Sequence, residues 1–233
     1  MKKLAYILFS AALLSVGAIS ASAQSQTRSV SGFSAITSSG SFDVFVKMDG
    51  NESVKVEANS EVINDIETVV EGGTLKIRTK DNWESRHRDF GRVNVYVEAK
   101  SLNSLINSGS GALKVEGTIN TGSFKVVLSG SGDISAGIKS DDLRAVISGS
   151  GAIKLWGSAG TANFAITGSG EIDGKKLKTS SSTAMITGSG DVYVDADKSV
   201  SAHITGSGSL IYSGNASIVD SHYTGSGRVS KGD

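Results

Sequence analysis

An all-β, parallel β-helix (β-solenoid) with coils of about 19 residues is the fold this sequence predicts, with a strand-rich N-terminal part covering one end. Three observations carry that expectation. The motif [Ser/Thr]-Gly-Ser-Gly occurs seven times, beginning at Ser108, Ser129, Ser148, Thr167, Thr187, Thr205 and Thr224, at intervals of 18–21 residues. Self-similarity at a nearly fixed period is the mark of a stacked-repeat architecture. Between the motifs run short stretches of strict apolar/polar alternation, the pattern of half-buried strands. The chain has 29 glycines and no proline, which suits a fold built almost wholly of backbone ladders, because proline cannot donate to one.

Each repeat has one layout. After Gly-Ser-Gly comes an alternating run such as Ala112-Leu113-Lys114-Val115 or Asp191-Val192-Tyr193-Val194. A polar or glycine bend follows, as at Glu116-Gly117 and Trp156-Gly157, and a second run leads into the next motif, as in Phe124 to Leu128 or Ala202 to Ile204. Two short strands and two bends fill about 19 residues. A propeller blade needs four strands and about 40 residues or more, so propellers are excluded; the Leu/Asn consensus of leucine-rich repeats is absent. A solenoid with coils about 4.8 Å apart remains.

In such a stack, equivalent positions lie above one another, and a bend repeated at one place needs close backbone approach and positive φ, which glycine permits. The glycine pairs Gly109/Gly111, Gly130/Gly132, Gly149/Gly151, Gly168/Gly170, Gly188/Gly190, Gly206/Gly208 and Gly225/Gly227 are therefore read as structural turns. The motif hydroxyls are expected to bond to one another in ladders between coils. Residues 106–233 hold the seven repeats. Residues 29–105 are strand-rich without the exact motif and read as degenerate coils or a cap, as solenoid ends require. Ser39-Gly40-Ser41 resembles a decayed copy, Ser53 to Glu57, Leu75 to Thr79 and Val93 to Glu98 alternate as strands, and Glu61 to Ile66 reads as one helical turn.

Residues 1–23 read as a cleaved signal peptide. Lys2-Lys3 is the basic region, Leu4 to Ile19 is mostly apolar, and Ala21-Ser22-Ala23 is a small-x-small cleavage site before Gln24. The apolar run is short for a spanning helix, and none follows it. Without cysteine the chain is neither a lipoprotein nor disulfide-bonded. Residues 24–233 are then expected to form one exported domain, periplasmic or on the outer surface, with no translocating barrel of its own. Loss of Lys2 and Lys3 leaves 21 basic against 23 acidic residues, a balance that argues against nucleic acid or an anionic membrane as principal partner.

Several runs together resemble the bacterial family called putative auto-transporter adhesin, head GIN domain. They are Val30-Ser31-Gly32-Phe33-Ser34-Ala35-Ile36, Gly40 to Val46, Glu52 to Asn59, Gly73 to Ile77 and Val93 to Val97, completed by the serial Ser/Thr-Gly-Ser-Gly-Asp-Ile/Val repeats. The resemblance spans nearly all of the exported chain. It implies export from Bacteroidetes-type bacteria and a largely parallel β-helix, and it brings no catalytic residues with it.

The candidate sites are few. No glycine segment is followed by Lys-Ser/Thr or has G-x-G-x-x-G spacing, so no nucleotide site is expected. The position after each motif reads Ala112, Asp133, Ala152, Glu171, Asp191, Ser209 and Arg228, too rarely acidic for a calcium β-roll. Glu171 and Asp191 fall on consecutive coils and form the one candidate cation pair; two solvated carboxylates beside a bend are the simpler reading. Glu171, Asp173 and Asp191, with Lys175, Lys176 and Lys178, are the only local carboxylate cluster in the repeats. In Asp220-Ser221-His222 the neighbours point to opposite faces of a strand, which spoils a triad, and His87, His203 and His222 lack metal spacing. No cofactor and no catalytic residue are assigned. The charged loop holding Trp83, Arg86 and Arg88 is the candidate partner-binding segment, by its mix of aromatic and arginine. The expectation is a non-catalytic cell-envelope protein acting by binding, adhesion or surface assembly, with a glycan or an envelope protein as partner. The alternatives are a β-helical enzyme acting on a polysaccharide and a periplasmic scaffold or envelope-stress protein.

Overall fold

The computed structural model describes residues 23–80 and 89–232. Five long strands form its middle: β9 (Ala112–Gly130), β10 (Asp133–Gly149), β11 (Ala152–Gly168), β12 (Glu171–Gly188) and β13 (Asp191–Gly206). Each is a nearly complete coil, bent rather than broken at its corners. Successive coils pair in parallel, with Gly130, Gly149, Gly168, Gly188 and Gly206 in register. Above them lie β14 (Ser209–Ser213), β15 (Ser217–Gly225) and β16 (Arg228–Lys231), each parallel to the coil beneath. The solenoid with its 19-residue repeat is thus present.

The lower end departs from simple winding. The coil formed by β2 (Ala35–Gly40) and β3 (Asp43–Met48) lies directly under β8 (Ser104–Gly109) and β9, with Gly40 paired to Gly109. Ser39-Gly40-Ser41 is therefore a real corner. Yet β6 (Thr74–Thr79) and β7 (Asn94–Ala99), later in sequence, lie below β2 and β3. The first coil in the chain is thus second in space. Antiparallel strands then close the end: β5 (Ile66–Glu71) on β6, β4 (Ser53–Asn59) on β7, and β1 (Ala23–Arg28) on β4. The turn expected over Glu61 to Ile66 is a 3-10 turn at Ile63–Asp65.

Period-two alternation sends one side of every strand inward, where registered positions form columns. Leu128, Ile147, Ile166, Ile186 and Ile204 make one such buried column. The two neighbouring columns compensate in volume. Phe124 is followed by Leu143, Ala162, Ser182 and Val200, whereas Val126 is followed by Ala145, Phe164, Ala184 and Ala202. Phe164 fills the space left by the alanines above and below it and by Ala162 beside it, and is 2% exposed. Interiors packed to crystal-like density require such compensation. The one buried hydroxyl in these columns is satisfied: Ser182 bonds Thr179 at 2.8 Å.

The motif corner uses its two glycines differently, which corrects the reading of both as turns. The first one bends the chain. Gly130, Gly149, Gly168, Gly188, Gly206 and Gly225 have φ between +115° and +134°, a region closed to most side chains. In the lowest motif Gly109 lacks positive φ; Gly40, beneath it, has it. The second glycine is not a turn residue. Gly111, Gly132, Gly151, Gly170, Gly190, Gly208 and Gly227 are all outside the positive-φ set. The bend is complete before them, and what they need is space.

A Cβ at Gly190 would lie 2.5 Å from the Gly170 carbonyl oxygen and 2.7 Å from Ile166 Cγ2. A Cβ at Gly111 would strike the Phe42 carbonyl, and at Gly132, Gly151 and Gly208 the carbonyls of Gly111, Gly132 and Gly190. At Gly170 and Gly227 the first obstacle is a core side chain, Ile147 and Ile204 respectively. These close-lying carbonyls continue the ladder round the corner, since Ser189 N–H donates to Gly168 O at 2.9 Å and Asp191 N–H to Gly170 O at 3.2 Å. The expected hydroxyl ladder is not there. The motif Ser and Thr side chains are exposed, and among the described residues none bonds to its counterpart one coil away. The backbone already satisfies the corner, and positive φ turns the hydroxyls to solvent. A hydroxyl contact between coils does occur at the opposite corner, Ser199 to Ser181 at 2.9 Å.

Two consequences are measurable by chemical denaturation. Gly190→Ala is expected to lower stability by about 1–3 kcal/mol through overpacking, whereas Ser189→Ala stays within about 0.5 kcal/mol; the reverse order would restore the hydroxyl reading. Phe164→Ala is expected to lose about 3–5 kcal/mol, since the flanking alanines cannot collapse into the cavity.

Candidate binding groove

The outward side of the sheet made by β4, β7, β3 and β9 carries an unusual row. Register places Lys55 beside Tyr96, Tyr96 beside Phe45, and Phe45 beside Lys114. Strands about 4.8 Å apart bring such same-face neighbours into contact. The Phe45 and Tyr96 rings are stacked, with centroids 5.4 Å apart and planes 20° from parallel. Lys55 Nζ lies 4.8 Å from the Tyr96 centroid, and Lys114 Nζ lies 5.9 Å from that of Phe45, both within cation–π reach. In each strand the flanking valines (Val44 and Val46, Val95 and Val97) are buried, so the aromatics occupy the solvent side by pattern and not by accident of packing.

A bulge supplies the second wall. Lys114 pairs with Ser135, but the next registered pair is Thr118 with Gly137. The extra residues push Glu116 and Gly117 outward, with Gly117 at φ +95°; bulges re-aim side chains in this way. Trp156, one coil on, lies over Gly137, where a Cβ would come within 2.6 Å of the indole Nε1. The result is an open groove of about 950 Å³ bordered by Phe45, Tyr96 and Trp156, with Lys55, Lys114 and Glu116 at its rim.

Lys55 at its edge is ion-paired. Glu57 binds Lys55 at 2.7 Å; that hydrogen bond, with a further one to Tyr96, holds the Glu57 carboxyl below the usual carboxylate range. The same contact holds the Lys55 ammonium above its ordinary value. Both shifts favour the charged forms. Ser53 Oγ donates to Glu98 at 2.9 Å on the groove's far side. The arrangement offers flat aromatic faces ringed by donors and acceptors, the make-up of a site that holds a ligand by stacking and hydrogen bonds.

The sequence-predicted residues fare differently. Trp83, Arg86 and Arg88 lie outside the described residues. Glu171 and Asp191 are brought into register on β12 and β13. Asp191 Oδ1, however, accepts the Ser209 N–H of the next coil at 2.9 Å, as Asp43 Oδ1 accepts that of Ala112 at 3.1 Å. An acid after the corner thus caps the coil above. Among the described residues no group of three or more His, Cys, Asp or Glu is placed to hold a metal ion. Asp173 faces Lys154 at 3.7 Å. Asp220 contacts His203 at 3.3 Å, and Ser221 alternates to the other face of β15.

Sequence reasoning missed the groove because its aromatics are far apart in the chain: Tyr96 meets Phe45 only through the out-of-order stacking of β7 under β3, and Trp156 comes from β11, two coils beyond β9. One signal was available: an aromatic at the solvent position of Asp43-Val44-Phe45-Val46 and again of Asn94-Val95-Tyr96-Val97.

Solved structures share the fold. A putative adhesin from Bacteroides fragilis matches with a TM-score of 0.84 at 22% identity, over 91% of this chain and 98% of that one. A putative lipid binding protein from Parabacteroides distasonis gives 0.73 at 24% identity, over 91% and 97%. A putative adhesin from Parabacteroides merdae gives 0.69 at 18%, over 91% and 96%. Among curated proteins none matches the sequence. The family model described as putative auto-transporter adhesin, head GIN domain, matches residues 32–216, and with those residues spanning most of its length the chain belongs to that family.

Proposed function

We propose that the protein is an exported, non-catalytic binding protein of the cell envelope that holds a glycan in the groove between Phe45, Tyr96 and Trp156. The observation that carries this reading is the stacked Phe45–Tyr96 pair on the solvent side of the sheet, facing Trp156 across the groove. Aromatic faces suit the apolar faces of sugar rings, and the lysines, glutamates and Ser53 around them match ring hydroxyls. Adhesin names among the structural neighbours agree with a binding role.

Export rests on the leader pattern of residues 1–23. Strand β1 begins at Ala23 and pairs Gln24 with Ala58, so cleavage before Gln24 leaves nearly the whole strand in its ladder. Mass spectrometry of the protein from its native host is expected to find Gln24 as the N-terminus; a retained Met1 on the folded protein would contradict export by this route.

On a saccharide array the wild type is expected to bind, and Tyr96→Ala and Trp156→Ala each to weaken the selected glycan about tenfold, the size of an aromatic hot spot. Tyr193→Ala, on the same sheet outside the groove, should leave binding unchanged. Equal losses in all three variants would move the site elsewhere. Binding to phospholipid vesicles and to no saccharide would replace the glycan with a lipid, the ligand named for the Parabacteroides distasonis protein.

A further inference from the structure

On the outer face of the second run of each coil, one column changes character along the solenoid. Register stacks Val127, Val146, Ala165, Met185, His203 and His222 in that order. The two histidines are 19 residues apart, an interval that fails as a metal spacing in the linear sequence. In the solenoid it is one coil. Their rings lie 6.5 Å apart, tilted by 43°, and Asp220 on the same face comes within 3.3 Å of His203 Nε2.

A bulge puts these groups together. Val200 pairs with Ile218, but the next pair is Ser201 with Asp220, so Val219 is left over and stands 64% exposed. Without that extra residue, alternation would send Asp220 and His222 inward, opposite the core residues Ala202 and Ile204. With it, both point to solvent beside His203. Bulges that re-aim side chains in this way recur next to functional sites. The face looks outward from the sheet, so a further coil stacked above β15 would border it without covering it.

The spacing of the polar atoms is that of two metal ligands. A charge-assisted N–H···O bond is about 2.7–2.9 Å long. Zinc holds imidazole nitrogen and carboxylate oxygen at about 2.0–2.2 Å, so two such ligands of a tetrahedral set stand about 3.4 Å apart. His203 Nε2 and Asp220 Oδ2 are 3.3 Å apart. Two imidazoles beside one carboxylate suit zinc or copper, whereas calcium and magnesium take oxygen ligands. The three groups are not gathered round one point as they stand. Parallel strands are only about 4.8 Å apart, however, and His222 is exposed, so rotation about its side-chain bonds completes the set.

We propose that His203, His222 and Asp220 form a surface site for one zinc ion, which takes water as its fourth ligand and clamps β15 to β13. The site lies across the motif corner from the groove-bearing sheet and stands independently of the glycan reading.

Isothermal titration of the metal-free protein with zinc chloride tests this. The wild type is expected to bind one ion per chain. His203→Ala, His222→Ala and Asp220→Asn should each weaken binding at least about tenfold, since even the outer partners of metal ligands are worth about 10–100-fold. His87→Ala, outside the set, should change nothing, and excess calcium should not compete. Zinc at about 100 times its dissociation constant should raise the melting temperature of the wild type by about 5–10 °C. The His203→Ala/His222→Ala double variant should show no rise. Equal melting temperatures without zinc establish that the variants are folded. A wild type that binds no zinc overturns the proposal, as does binding that survives either histidine substitution, binding lost in His87→Ala, or a melting temperature that zinc does not raise.

Discussion

Everything in this molecule depends on one constraint: each coil must repeat the backbone of the coil below at hydrogen-bonding distance. The spacing of about 4.8 Å leaves no room for a side chain where two corners meet, which is why Gly190 lies against the Gly170 carbonyl. It also makes every position part of a column, so a residue is selected for its fit to the residues above and below more than for its neighbours in sequence. Phe124 and Phe164 occupy different columns, and the alanines beside and beyond Phe164 match that displacement. The period of 18–21 residues varies because additions are confined to bends. The extra residues at Glu116-Gly117 widen one bend without disturbing Gly130 above Gly109.

The same constraint creates the problem of ends. A parallel coil exposes unpaired donors and acceptors above and below, with its core columns open. The N-terminal part solves this by reversing strand direction: β4 and β5 pair antiparallel with β7 and β6, and β1 follows on β4. That solution requires the chain to leave the β2–β3 coil, build the cap, and return through β8 above its own starting point. The non-sequential order of the coils is the consequence. It is also what brings Tyr96 against Phe45, so the cap and the groove are products of one topological step. At the other end β14, β15 and β16 continue the parallel stack, with Ile218 and Tyr223 on β15 partly exposed.

Much of this was legible in the sequence. Period and alternation identify the solenoid, its inward residues and the place of the corner, because each is a local pattern imposed many times over. Leu75 to Thr79 and Val93 to Glu98 read as strands for the same reason. Their partners were not legible, since nothing in either run records that it lies beneath Ala35–Gly40 or Asp43–Met48 rather than above. The division of labour between the two motif glycines was hidden as well. Positive φ and want of space both select glycine, and only the stacked backbone separates Gly188, which bends, from Gly190, which merely fits. The motif hydroxyls misled for a physical reason: serine and threonine recur at the corner because they suit a tight solvent-facing turn, and stacking alone does not turn them toward each other. Glu171 and Asp191 were correctly placed side by side, but the bond from Ser209 N–H to Asp191 depends on the following coil and is invisible in a reading of two positions.

The charge pattern of the groove-bearing sheet bears on how a ligand is selected. Register aligns two outward rows. One holds Asp133, Glu171 and Asp191, with Asp43 on β3 and Glu57 on β4 at equivalent positions, and the other holds Lys55, Lys114 and Lys154, with Asp173 beside Lys154. The rows run side by side two residues apart, within the screening length of about 8 Å at physiological salt, so each lysine is offset by nearby carboxylates and the face keeps an excess of acids. A polyanion gains little from approaching such a face. Selection then falls to contacts that act only at short range: the stacked rings of Phe45 and Tyr96, the indole of Trp156 and the fixed donors and acceptors around them. On the proposed glycan reading, a sugar ring would use all three kinds of contact at once.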